Sequence, residues 1–240
     1  MNKIKWIIFG SLAVGIIVFL ILLKNGIIPS LEQYKDTSTA NVDNVNTNGI
    51  DTVSDNSNST QNGGIADHIY GNENSKVTLV EYGDYQCPPC ASIYPSIKSV
   101  VEKYKDKIRF VFRNFPITSI HANAKTAAAT AEAAGLQGKY WEMHDKIYEG
   151  QKQWSDLGIN ERAEFFTNYA RELGLDINKF TTDMASKSVS TKISYDYAIG
   201  TKVGVEGTPS FYLNGKKLDS TVFGDQSKLS ATLDAEIAKN

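Results

Sequence analysis

Two cysteines three positions apart, set just behind a strand, constrain this chain more than any other feature. Lys76-Val-Thr-Leu-Val-Glu-Tyr82 is β-branched and mostly apolar, the composition of a strand buried on both faces. Cys87-Pro-Pro-Cys90 follows after a short polar turn. Ala91 to Lys105 then places Ile93, Ile97, Val100, Val101 and Tyr104 at helical spacing, with Pro95 expected to kink that helix. Ile108, Phe110 and Phe112 alternate with Arg109, Val111 and Arg113 and predict a second strand. Strand, helix and strand of these lengths make a βαβ unit with the cysteine pair at its first junction.

The next stretch carries almost no strand signal. Ala122 to Ala134 is alanine-rich and stops at Gly135, and Gly138 to Tyr148 carries Tyr140, His144, Ile147 and Tyr148 on one face. Asn160 is expected to cap a helix through Phe165, Phe166, Tyr169 and Leu173, and more helix follows to about Gly200. Pro209-Ser-Phe-Tyr-Leu213, Asn214-Gly215 and Lys216-Lys-Leu218 read as two strands joined by a tight hairpin turn. Leu229, Leu233 and Ile237 mark a last helix. The order βαβ, helical block, ββα predicts one α/β domain with an all-helical insertion: residues 67–116, an insertion over 117–203, and residues 204–240.

The first quarter of the chain differs in composition. Trp6 to Leu23 is an uncharged apolar run of 18 residues, flanked by Lys3, Lys5 and Lys24, which is long enough for a transmembrane helix. It ends in Ile21-Leu-Leu-Lys24 rather than at a small-residue cleavage site, so residues 1–24 are expected to stay as a single-pass anchor. The lysines before it favour a cytoplasmic N-terminus and an extracytoplasmic remainder. With only two cysteines in the chain, none is placed for lipid attachment. Residues 25–66 are rich in Ser, Thr, Asn, Asp and Gly and lack an apolar period, so they are expected to form a disordered tether. Its root-mean-square reach would be on the order of 35 Å. A formal net charge of −2 gives no footprint for nucleic acid.

A cysteine at a strand-to-helix junction meets unpaired backbone N–H groups and the helix dipole, both of which favour a thiolate. Cys87 is therefore expected to attack, and Cys90, one turn further in, to resolve the mixed disulfide. Other readings compete. A structural disulfide closing so small a loop would restrain little of the unfolded chain. A zinc site would need two more ligands from His68, His121 and His144, whose spacing matches no known pattern. Two inert buried thiols fit poorly with an oxidising compartment. The attack-and-resolve chemistry needs neither a cofactor nor a metal. His144 reads as a satisfied packing residue and His121 as a helix opener. Trp141, Trp154 and the tyrosines read as core, with an exposed few as a possible groove for unfolded chains.

Val77-Thr-Leu-Val-Glu-Tyr-Gly-Asp-Tyr-Gln-Cys-Pro-Pro-Cys90, Phe110-Val-Phe-Arg-Asn-Phe-Pro116, Tyr140-Trp-Glu-Met-His144 and Gly204-Val-Glu-Gly-Thr-Pro-Ser-Phe211 together resemble the DsbA family of thiol-disulfide oxidoreductases, in particular its membrane-anchored Gram-positive-type members. The resemblance implies a thioredoxin fold interrupted by a helical domain. It also implies disulfide donation to unfolded, cysteine-containing exported proteins, and reoxidation by a quinone-linked membrane partner of the DsbB or VKOR type. Carried over residue by residue, Cys87 is the nucleophile, Cys90 the resolving cysteine, and Pro209 the cis-proline facing the disulfide, with Thr208 before it. Glu81 stands where the family keeps a buried acid near the resolving cysteine, and Asp84 is its nearby rival. Pro88 and Pro89 are the residues between the cysteines. Pro89 takes a position where members commonly carry His, and so removes one support for the thiolate. The same residues would also suit a reductase or isomerase, and a non-catalytic chain-binding module is a further reading.

Overall fold

The computed structural model describes residues 60–239. Its sheet is built from β1 (Ile69–Gly71), β2 (Thr78–Gly83), β3 (Arg109–Asn114), β4 (Ser210–Leu213) and β5 (Lys216–Lys217), in the spatial order β1-β3-β2-β4-β5. β2 and β3 run parallel, as a crossover through a helix requires, and the other pairs are antiparallel. Every residue of β2 is buried, which is why its sequence reads as a continuous apolar run rather than an alternation. The hairpin between β4 and β5 turns on Asn214 and Gly215 at φ +46° and +74°, a left-handed pair that suits Asn-Gly.

The helices are α1 (Pro88–Tyr104), α2 (Ala124–Gly135), α3 (Tyr140–Glu149), α4 (Gln151–Trp154), α5 (Ile159–Glu172), α6 (Ile177–Met184), α7 (Lys187–Lys202), α8 (Ser220–Phe223) and α9 (Gln226–Ile237). On one sheet face Leu79, Phe110, Phe211 and Leu213 cluster with Ile97, Val100, Val101 and Tyr104 of α1 and Leu229 and Leu233 of α9. On the other face Val80, Tyr82, Val111 and Tyr212 pack on Ala198 and Ile199 of α7. The insertion has its own core, in which the buried alanines of α2 meet Trp154, Phe166, Phe180 and Ile193. Small side chains on α2 let these larger ones approach it closely.

Several elements depart from the sequence reading. β1 is unanticipated: three residues pair with the edge of β3, too few for a periodicity to show. The one-turn helices α4 and α8 are short for the same reason. α1 continues through Pro95. α5 starts at Ile159 behind Gly158, not at an Asn160 cap, because the Glu161 carboxylate reaches back to accept the Gly158 N–H at 3.2 Å.

Within the expected tether of 25–66, residues 60–66 are packed rather than free. Thr60–Asn62 make a 3₁₀ turn, Asn62 and Ile65 are buried, and the Asn62 side chain accepts the Gly64 N–H at 3.1 Å. The Ser188 hydroxyl donates to the Gly63 carbonyl, and the backbones approach so closely at Gly63 (φ +69°) that no Cβ would fit. The expected anchor 1–24 and the rest of the tether lie outside the described residues. Among the described residues no helix is long and apolar enough to cross a membrane.

Candidate active site

Cys87 is the N-cap of α1, with an extended backbone (φ −68°, ψ 119°), and Pro88 and Pro89 fill the first two helical positions. Proline there has its φ pre-set and lacks an N–H that the helix start could not pair anyway. Its missing donors also thin out the N–H groups that could face the sulfur. The Cys87 N–H donates to the Asp84 carbonyl at 3.0 Å. Its carbonyl is held from outside the element: Gln151 Nε2 donates to the Cys87 and Tyr85 carbonyls at 2.9 and 2.7 Å. Gln151 joins α4 to the active-site turn, and nothing in the sequence could have named it, since its partners lie more than sixty residues away. Both cysteines are thiols in this structure; Cys90 is fully buried, Cys87 is buried but for 4% of its surface, and Pro88 and Pro89 are exposed.

The loop before β4 closes over the sulfur. The Thr208–Pro209 peptide is cis, and the Thr208 carbonyl lies 3.3 Å from Cys87 Sγ although 121 positions separate them in the chain. That carbonyl can accept a hydrogen bond only from the thiol. The buried Thr208 hydroxyl, which has no other partner among the described residues, can donate to the thiolate instead. Hydrogen bonding from Cys90, with a smaller contribution from Thr208, outweighs burial and holds the Cys87 thiol down at about 6. Burial, the bond to Cys87 and the nearby Glu81 charge push Cys90 well above the ordinary thiol range. One thiol thus ionises readily and the other reluctantly.

Glu81 lies in the middle of β2, opposite Phe112 of β3 and Phe211 of β4, and is 4% exposed. Burial first, and then the charge of Cys87, raise its carboxyl to about 8. Its rival Asp84 has another occupation: its carboxylate accepts the N–H groups of Gln86 and Ile117, each at 2.8 Å, and meets His121 Nδ1 at 2.7 Å. His121 is therefore a partner of Asp84 that ties down the loop before α2, rather than a helix opener. His144 does face inward with Tyr140 and Ile147, but it is not fully satisfied. Its Nδ1 meets Asp145 at 3.3 Å, while its buried Nε2 has no hydrogen-bond partner among the described residues. Among the described residues no cluster of three or more His, Cys, Asp or Glu side chains is placed to hold a metal.

A thioredoxin fold that opens its first helix on a dithiol, with a cis-proline loop against the sulfur, defines the class. Residues 64–235 match the family model described as Thioredoxin, and the chain belongs to that family. Its fold is the one shared by DsbA-type proteins, as the resemblance in the sequence implies. It superimposes on a thioredoxin-like oxidoreductase from Silicibacter pomeroyi DSS-3 with a TM-score of 0.59 and 28% identity, covering 75% of this chain and 95% of that one. Against oxidised BdbD from Bacillus subtilis the TM-score is 0.62 at 20% identity, over 71% and 92% of the two chains. Among curated proteins, 153 residues are 36% identical to part of a Na(+)/H(+) antiporter NhaA 1 from Salinispora arenicola, covering 63% of this chain. The match spans 22% of that antiporter's length.

Proposed function

We propose that the protein is a membrane-anchored, extracytoplasmic thiol-disulfide oxidase that introduces disulfide bonds into unfolded exported proteins. The observation that carries this reading is the unequal thiol pair: Cys87 ionises at about 6 at a helix start beside Thr208-Pro209, and Cys90 is buried behind it. In the oxidised enzyme a substrate thiolate attacks Cys87 Sγ, and the Cys87–Cys90 bond breaks with Cys90 as the leaving thiolate. A second substrate thiolate then attacks the substrate sulfur of the mixed disulfide and expels Cys87 as its stable thiolate. The substrate is oxidised by two electrons and the enzyme reduced by two. A readily ionised Cys87 favours this direction, since a good leaving thiolate stabilises the reduced enzyme. A quinone-linked membrane protein of the DsbB or VKOR type would restore the disulfide, and the apolar run Trp6–Leu23 would keep the two in the same membrane.

The test is oxidative refolding of a reduced, cysteine-containing secretory protein by the full-length oxidised chain. Cys87→Ser should reduce the rate to that of air and buffer, and Cys90→Ser, given glutathione disulfide as the oxidant, should accumulate mixed disulfides through Cys87. Full activity in Cys87→Ser, or no acceleration by the parent, would refute the assignment.

A further inference from the structure

A cavity of about 50 Å³ lies between α1, α3 and the first strands of the sheet, with Glu81, Tyr94, Lys98, Trp141, His144 and Asp145 among its walls. One water needs about 10–15 Å³ of such space, so the cavity can hold more than one. Two polar groups meet there without a protein partner. One is the fully buried Nε2 of His144; the other is the carboxyl of Glu81, which lines the same cavity and makes no side-chain hydrogen bond among the described residues. Leaving the His144 Nε2 dry would cost desolvation energy with nothing in return, and a water bridging it to Glu81 would satisfy both. The remainder of the His144 ring is enclosed by other rings, including Phe112 at 4.9 Å, Tyr148 at 5.1 Å and Trp141 at 5.2 Å between centroids. From Nδ1 the path continues outward. Asp145 is 31% exposed in its side chain and pairs at 2.8 Å with Lys98, which is 47% exposed.

We propose that Glu81, water in this cavity and His144 form a relay that carries the Cys90 proton to the surface at Asp145 when Cys90 resolves a mixed disulfide. The proposal rests on the thiol-disulfide exchange assigned above and adds His144 to it as a positioning residue. The step balances. Glu81, which burial keeps protonated at neutral pH, first passes its proton through water to His144 Nε2 while Nδ1 releases one to Asp145 and solvent, and the carboxylate so formed takes the proton of Cys90 S–H. The Cys90 thiolate then attacks Cys87 Sγ, the Cys87–Cys90 bond forms, and the partner leaves as a thiolate that takes a proton from solvent. In the oxidase half-reaction the same path runs inward and protonates the departing Cys90.

The neighbouring groups suit transit rather than storage. Burial keeps His144 below the ordinary imidazole range, so it is neutral at rest with Nε2 open to accept. Around the pair, Tyr85, Tyr94, Tyr140 and Tyr148 are pushed up by burial, and Tyr70 chiefly by its bond to Glu102, so all stay neutral. The remaining charged groups are Lys98 with its partners Asp145 and Glu149, and the two thiols that Glu81 faces.

The test uses the full-length reduced chain and glutathione disulfide, with release of glutathione from Cys87 followed by acid quench and intact mass between pH 6 and 9. His144→Phe keeps an aromatic ring in the cage and removes Nε2. It should slow the resolution step about tenfold at pH 7, less than the ~10² of direct acid–base participation, with the gap closing towards pH 9. Its Cys87 alkylation profile should be that of the parent. Glu81→Gln should slow the same step, and the double variant should be no slower than Glu81→Gln alone, because both residues serve one path. If His144→Phe does not fold, His144→Gln is held to the same expectations. Resolution as fast as the parent at every pH, or slowing that multiplies in the double variant, overturns the relay. A parent that never forms the Cys87 mixed disulfide overturns the underlying exchange chemistry as well, a result distinct from failure of the relay alone.

Discussion

A thiol held at about 6 in the folded protein, against roughly 8.5 for a free one, makes the reduced form's stability depend on pH with a definite sign. The folded value is depressed, so the stabilisation is complete above about 8.5 and disappears as pH falls through about 6. At pH 7 the thiolate lies one unit below ambient, which contributes about 1.4 kcal/mol, or about 30 mV in a two-electron potential. Melting temperatures of reduced and oxidised protein, measured from pH 5.5 to 8.5, should therefore separate in favour of the reduced form, by about 3–5 °C more at pH 7 than at 5.5. A pH-independent difference would show that Cys87 does not titrate in this range. Glu81 carries the opposite sign, because burial raises its carboxyl to about 8 and the folded state holds a proton that the unfolded state releases near 4.3. Glu81→Gln, which does not titrate, should gain stability over the parent across that window, on the order of 3 kcal/mol by pH 7 in urea titrations. Equal curves from pH 5 to 8 would sink this account of Glu81. The positions of Cys87, Cys90, Glu81 and Thr208-Pro209 were legible because junction, buried strand and motif each leave a local trace. The open Nε2 of His144 and the Asp84–His121 pair were not, since an amphipathic face says that a ring points inward and nothing about what it finds there.

At the level of elements, β2 and α1 were readable because each is specified by its own residues: an apolar run for the strand, apolar spacing and a proline-started turn for the helix. β1, the turn at Thr60–Asn62 and the Gly158 start of α5 depend on partners far away or on one side chain reaching back, so no window of sequence contains their cause. Gly83, the last residue of β2, shows how such a distant partner acts on an element. A Cβ there would collide with the ring of Phe112 and come within 3.0 Å of the Tyr148 hydroxyl, two groups of the aromatic cluster around His144. Neither can withdraw, as both are buried among other rings. Gly83→Ala should consequently cost about 1–3 kcal/mol, the usual range for overpacking, although alanine suits a strand better than glycine in conformational entropy. Chemical denaturation would check it, and a stabilised variant would mean that the end of β2 has room the packing denies.

Across the whole molecule, the insertion, the sheet and the segment before β1 meet at a buried set of charges beside their apolar contacts. Lys192 of α7 pairs with Asp67 at 2.8 Å and Asp196 at 2.6 Å, and Arg113 of β3 pairs with Asp67 at 2.6 Å. Asn114 donates to Asp196 and to Glu132 of α2, and Glu132 in turn meets His68 at 2.9 Å. These side chains come from stretches that read in the sequence as loop, strand and amphipathic helix. A charge at a core position looks like a surface residue until its partner is known, which is why this junction was not legible. Its energetics follow from burial: the attraction roughly offsets desolvation while all members are present, but removing one leaves a charge in the core that water cannot reach. Lys192→Met keeps the length and apolar stem of the side chain and deletes only the cation, leaving Asp196 with Arg113 at 3.7 Å as its remaining cationic partner in the cluster. We expect a loss of about 3–5 kcal/mol in urea titrations, with the Cys87 alkylation profile of the still-folded protein unchanged because the cluster lies apart from the dithiol. If Lys192→Met were neutral or stabilising, the three parts of the fold would be joined by their apolar contacts, and the ion pairs would be passengers.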